Sequence, residues 1–174
     1  MTEKTKATEK IKSLDELFEE TLKDLYDAEK QIVKAMPKII KQVNSEVLKM
    51  GLQEHLEVTN RQVERLEQIF KEMNMPARGK KCMGMEGLLK EGDEEMKEMG
   101  DPDVKDAVII AAAQKVEHYE ISGYGTARAY AQALGHLNVA RMLDQSANEE
   151  GMADKKLTSI AESHVNRQAK VKNR

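Results

Sequence analysis

Five glutamates, Glu29, Glu57, Glu117, Glu120 and Glu150, fall on or beside the apolar faces of four long helical stretches. A carboxylate taken out of water carries a heavy desolvation cost unless a cation or a set of donors compensates it. Anionic oxygens meeting inside a packed set of helices would also repel one another. The usual physical remedy is a pair of divalent or trivalent metal ions held between them. The residue types and spacing therefore point first to a carboxylate-rich dinuclear metal centre.

The elements that must position these residues read as helices throughout. Of the 174 residues, 40% are hydrophobic and 34% charged, with three prolines, ten glycines and no tryptophan. That is enough apolar material for one domain, in a composition rich in helix formers and poor in strand formers. The net charge of −3 leaves no broad basic surface for nucleic acid. Cys82 stands alone, which excludes an internal disulfide and a cysteine zinc cluster and fits a reducing compartment. No apolar run approaches the about 18 to 20 residues that span a bilayer, and the first residues do not pattern as a signal segment. The expected location is cytoplasmic, with neither membrane nor nucleic acid as a partner.

Ser13 and Glu16 have the spacing of a capping box, and the first helix runs on through Leu17, Phe18, Leu22, Leu25, Ile32 and Val33, kinked rather than ended by Pro37. A turn at Asn44 and Ser45 returns the chain through Val47, Leu48, Leu52, Leu56, Val63, Leu66, Ile69 and Phe70. Residues 74–84 hold Pro76, two glycines and a basic cluster, and a short amphipathic stretch follows from Met85 to about Met99. Asp101 and Pro102 start a third main helix that Gly135 stops, and a fourth runs from about Leu137 to Glu162. Two hairpins joined by so long a connection predict an all-α, ferritin-like four-helix bundle whose crossover carries a short helix. The expected domain covers residues 13–162, between an N-terminal tail (1–12) and a basic C-terminal tail (163–174). Distances from the turns place Glu29 and Glu57, and Glu117, Glu120 and Glu150, at similar depths along their hairpins.

The chain resembles the YciE/YciF group of bacterial stress proteins, within the ferritin-like superfamily, over nearly its whole length. The resemblance rests on Leu-Lys-Asp-Leu-Tyr-Asp-Ala-Glu-Lys-Gln at 22–31, His-Leu-Glu-Val-Thr at 55–59, Met-Glu-Gly-Leu at 85–88 and Ala-Ala-Gln-Lys-Val-Glu-His-Tyr-Glu-Ile at 112–121. It implies a dinuclear site, a homodimer and a role in stress response. Carried over by position, Glu29 and Glu117 would come from the first helix of each hairpin, with Glu57 and Glu150 as their partners. Ferritin-like sites usually add a histidine three residues after the second-helix glutamate. Here those positions are Asn60 and Ala153. Glu120 would then fill the gap, and a nearly all-oxygen shell favours iron or manganese, with magnesium a further option.

Several neighbours have humbler expected roles. His55 and His118 are expected as supporting or surface groups rather than ligands, because residues one or two apart on a helix diverge in direction. Tyr26 and Tyr124 lie near the level of the site as packed tyrosines. Asp154 is an outer candidate, and the roles of Asn60 and Glu149 stay open. Cys82 lies among lysines that could lower its pKa. Such a centre could consume oxygen or peroxide or oxidise ferrous iron, and whether it turns over is open. The alternative is a non-enzymatic dimeric helical protein with a structural metal site that acts through a protein partner.

Overall fold

Ser13 opens the first helix by accepting the Glu16 amide at 3.1 Å, while Glu16 reaches back to the Lys12 amide at 2.7 Å. In this computed structural model, which describes residues 10–171, the order is α1 (Leu14–Ile40), α2 (Glu46–Glu72), α3 (Met83–Glu98), α4 (Pro102–Ala133) and α5 (Leu137–Ile160). A π-helical turn (Ala161–Val165) and a short α6 (Asn166–Val171) continue α5. Every regular element among the described residues is helical. Pro37 lies inside α1 without ending it. The connecting helix α3, close to the expected stretch from Met85 to about Met99, has 16 residues and packs against both α1 and α4, so five substantial helices build the fold in place of four main ones.

The turns are set by identifiable polar contacts. Asp106 of α4 is 1% exposed, and its two carboxylate oxygens accept the backbone amides of Asn44 at 2.9 Å and Ser45 at 2.7 Å. It thus holds the α1–α2 turn against α4 and satisfies two amides at the mouth of α2. Asp101 caps α4, accepting the amides of Asp103 and Val104, and Pro102 occupies the first helical turn, where its missing N–H costs nothing. Gly135, at φ +81°, takes the left-handed conformation that ends α4, and the His136 amide closes back onto the Ala131 carbonyl at 2.8 Å.

Packing joins α1 to α2, α2 to α5, α5 to α4 and α4 to α1, with α3 across α1 and α4. The buried apolar residues divide into two clusters. One gathers Phe18, Leu22 and Leu25 with Leu66, Phe70, Tyr124 and Leu143; the other gathers Ile32 and Met36 with Leu52, Ile109, Leu157 and Ile160. Glu29, Gln62, Glu117, Glu120, Ser146 and Glu150 are buried between these clusters in sequence on every one of the four contributing helices. The fold therefore has a polar layer at its waist.

The helical run extends past Glu162, the expected end of the fourth main helix. The chain stays helical beyond Glu162 because Val165, 1% exposed, continues the apolar stripe, and α6 packs on α4. The basic residues that suggest a tail from 163 lie on a mostly exposed helical segment anchored by Val165. Of the expected N-terminal tail, residues 1–9 lie outside the described residues, and Lys10 to Lys12 are exposed without regular structure.

The Asp106 contacts generate a stability prediction. Asp106→Ala leaves two amides without their acceptor and should lower the unfolding free energy by about 2 to 3 kcal/mol. Urea denaturation checks this, and a loss below about 0.5 kcal/mol would remove the turn-locking role.

Candidate metal centre

The polar layer brings together four of the five singled-out glutamates and one histidine. Glu29 (α1), Glu117 and Glu120 (α4) and Glu150 (α5) are each no more than 2% exposed. Their side chains, with His55 of α2, form two triads of potential ligands: His55, Glu117 and Glu150 in one, Glu29, Glu120 and Glu150 in the other. Within each triad the donor atoms lie within 4.8 Å of one another, and Glu150 belongs to both. Glu150 could therefore contribute to holding a cation in either triad.

Glu57 is not among them. Its side chain is exposed, and the reason is helical phase. The inward stripe of α2 runs through Leu48, Leu52, His55, Thr59, Gln62 and Leu66, at steps of three and four. Glu57 lies two residues from both His55 and Thr59, roughly 200° around the helix from each. His55 takes the place assigned to it. The imidazole Nε2 is 3.2 Å from Glu117 Oε1 and 3.8 Å from Glu150 Oε2, so of the two expected roles, supporting or surface, the surface one does not hold. His118, by contrast, is at the surface, 3.4 Å from Asp154 Oδ1.

Around the triads, neutral donors orient the acids. The Tyr124 hydroxyl, fully buried, donates to Glu29 Oε1. The Gln62 amide donates to Glu150 Oε1 and, at 3.2 Å, to Glu149 Oε2. Glu149 is held in turn by Arg65, whose two terminal nitrogens reach its two oxygens at 2.8 and 2.9 Å. Burial raises the Glu149 pKa, but the Arg65 guanidinium and the Gln145 amide outweigh it and leave the carboxyl below its ordinary value. It is an orienting anion rather than a member of either triad. Gln62 carried no signal by residue type; its phase on the inward stripe of α2 could have revealed it.

The remaining candidates sit elsewhere. Asn60 is exposed and donates to the Leu56 carbonyl at 2.8 Å. Asp154 accepts from the Gln114 amide at 2.9 Å, and Tyr26 donates to Glu67 at 2.7 Å. Cys82 is buried, caps α3 by accepting the Met85 amide, and lies 2.9 Å from the Tyr119 hydroxyl. Burial pushes its thiol pKa up, opposite to the expected lowering. The neighbouring lysines are engaged elsewhere, Lys80 with Glu20 and Lys81 with Glu86.

Electrostatics show how unusual the layer is. Burial, followed by the Glu150 charge, lifts Glu29 to about 8 despite the Tyr124 hydrogen bond. Burial lifts Glu117 to about 7, with the Glu29 and Asp154 charges adding to it. Glu120 and Glu150 are also raised, first by burial and then by their acidic neighbours. Without a cation, the layer holds protons that ordinary carboxyls release.

Hydrogen bonding tests whether metal ions suit this layer. Buried atoms without a hydrogen-bond partner among the described residues include Glu29 Oε2, His55 Nε2, Glu117 Oε2, Glu120 Oε1 and Glu150 Oε2. Each of the five ligand candidates thus keeps one buried atom without a hydrogen bond. Native proteins rarely leave buried polar atoms unpaired. Four carboxylates and one imidazole form an oxygen-dominated donor set that could hold metal ions.

Residues 13–170 match a family described as a domain of unknown function (DUF892). The protein YciF of Escherichia coli strain K12 is 40% identical over 163 residues, covering 93% of this chain and 98% of the relative. The crystal structure of the E. coli stress protein YciF superposes with a TM-score of 0.84 over 90% of this chain and 99% of that one, at 40% identity. YcfI from Rhodopseudomonas palustris, 44% identical, gives a TM-score of 0.87 over 89% of this chain and 99% of its own. A match of this extent in both sequence and fold means that the chain belongs to the DUF892 family, the family of the stress protein YciF.

Proposed function

We propose that this chain is a ferritin-like stress-response protein whose polar layer holds two metal ions, iron or manganese, for reaction with dioxygen, peroxide or ferrous iron. In this reading α1–α2 and α4–α5 are the two antiparallel hairpins of a four-helix bundle, and α3 lies in the crossover. The protein works as a cytoplasmic homodimer. The observation that carries the proposal is the convergence of two triads of potential ligands from α1, α2, α4 and α5, with Glu150 common to both and one buried atom of each ligand candidate without a hydrogen bond.

When bound, a pair of redox-active ions would supply the electrons for reducing a small oxidant. The chain's own residues do the rest. Tyr124 fixes Glu29 through Oε1 and leaves Oε2 facing the layer. Gln62 does the same for Glu150, and the Arg65–Glu149 pair holds Gln62 in place. The apolar clusters above and below keep bulk water away, which strengthens every charge interaction inside. His55 contributes the single nitrogen donor that the missing Glu-x-x-His motifs would otherwise have supplied.

A second reading has its own support. Glu29, Glu120 and Glu150 are no more than 1% exposed, a degree of enclosure that also suits a purely structural metal. The R. palustris relative carries a provisional description as a structural protein. The protein would then act through a partner, with the metal only neutralising buried charge. Anaerobic ferrous loading followed by air separates the two: a redox centre develops near-ultraviolet ferric absorption, and a structural one leaves the spectrum unchanged.

Two outcomes test the assignment itself. Purified protein should carry about two ions per chain, Glu150→Ala should lose most of both, and Glu57→Ala should keep them all; equal metal content in all three proteins would end the proposal. Stability of the chelated protein should also depend on pH. Glu117 and Glu29 keep their protons in the folded chain up to about 7 and about 8, while unfolded carboxyls release theirs near 4.5. Folding therefore takes up protons in this interval, and the metal-free protein should lose stability as pH rises through it. Thermal melts of chelated wild type against Glu29→Gln should diverge with rising pH, the variant becoming the more stable. Metal binding competes with those protons, so affinity should rise over the same range.

A further inference from the structure

A groove between α2 and α5 encloses about 170 Å³ and is walled mainly by apolar carbon, including Leu52, Val58, Ala153 and Leu157. His55 also lines it, so the groove ends on a member of the candidate metal centre. His55 and Leu52 also line an inner apolar cavity of about 50 Å³ under α3, which reaches Glu117. The two spaces therefore share a wall made by these two residues. Glu29, Glu120 and Glu150 are sealed at 0–1% exposure, whereas the His55 side chain keeps 11%, which makes it the most accessible of the five. Tyr124 is fully buried against Glu29 and occupies that side of the layer.

We infer that the α2–α5 groove, with the His55–Leu52 wall at its inner end, is the route by which a small uncharged oxidant, dioxygen or hydrogen peroxide, reaches the centre. This rests on the redox reading above.

Size and charge select the molecule. The volume lies below the roughly 300 Å³ of ordinary ligand pockets. The two acids in the groove wall are already neutralised, Glu149 by Arg65 and Glu54 by Lys156 at the outer rim. No unpaired charge is left to draw in an ion, and an apolar lining favours neutral molecules over hydrated ones. Phosphorylated or carboxylated substrates would find neither the room nor a counter-charge.

The test narrows the groove from either wall with Ala153→Phe on α5 or Val58→Phe on α2, neither of which belongs to a triad. In metal-free protein, dissolved dioxygen, which is paramagnetic, should speed the relaxation of the Leu52 and Leu157 methyl groups beyond that of the deeply buried Leu66. Both variants should abolish the difference. In ferrous-loaded protein of unchanged metal content, the narrowed variants should slow oxidation by dioxygen, by peroxide, or by both, at least about tenfold, and the two oxidants are tested separately. Wild-type Leu52 and Leu157 relaxing no faster than Leu66, or relaxation and both oxidation rates unaffected by both substitutions, would overturn the route. A protein that binds no iron defeats the redox reading instead, and the metal-free relaxation data still decide whether dioxygen enters the groove.

Discussion

Burial of four carboxyl groups in one layer is the constraint on which the rest of the structure depends. Each helix of the set contributes polar atoms at the same height, and the apolar residues above and below gather into separate clusters. A carboxylate in such a position is tolerable only with a proton, a hydrogen-bond donor or a cation. The chain supplies few donors: Tyr124 serves Glu29 and Gln62 serves Glu150, and one atom of each ligand candidate remains unsatisfied. That incompleteness distinguishes the layer from an ordinary buried polar network, in which neighbouring side chains close every bond.

Keeping five donors in register across four helices demands fixed helix heights, and the structure supplies them through polar contacts at the ends. Asp106 ties the α1–α2 turn to α4, and Gly135 stops α4 so that α5 can return along it. The connection between the hairpins is tied down as well. Asp27 accepts the Cys82 amide at 2.8 Å, and Tyr119, adjacent to Glu120, donates to Asp24 at 2.8 Å. The start of α3 is thereby pinned to α1 and α4, two of the helices that carry the glutamates. Cys82 serves this docking by capping α3 with its sulfur.

Much of this was legible beforehand, and the places where it was not share one cause. Glu29, Glu117, Glu120 and Glu150 could be singled out because each lies in phase with the apolar residues of its helix. Glu57 was selected by residue type and by its distance from the turn, which fixes height but not direction. Two residues away, His55 has the correct phase, and so does Gln62, two turns further along the same stripe. The C-terminal helix was missed for a related reason. Its lysines and arginines dominate the composition, and a single buried valine, Val165, carries the apolar signal.

Local information was sufficient for the helical class, the caps at Ser13 and Asp101, the stop at Gly135 and the presence of acids on apolar faces. These depend on residues within a few positions of one another, where backbone chemistry and side-chain periodicity act directly. Which acids share a space, which histidine joins them and which groove that histidine lines were decided only by tertiary packing. The rotation of each helix about its own axis is set by the total apolar surface it buries against its neighbours, and a change of one residue in phase turns a ligand toward water.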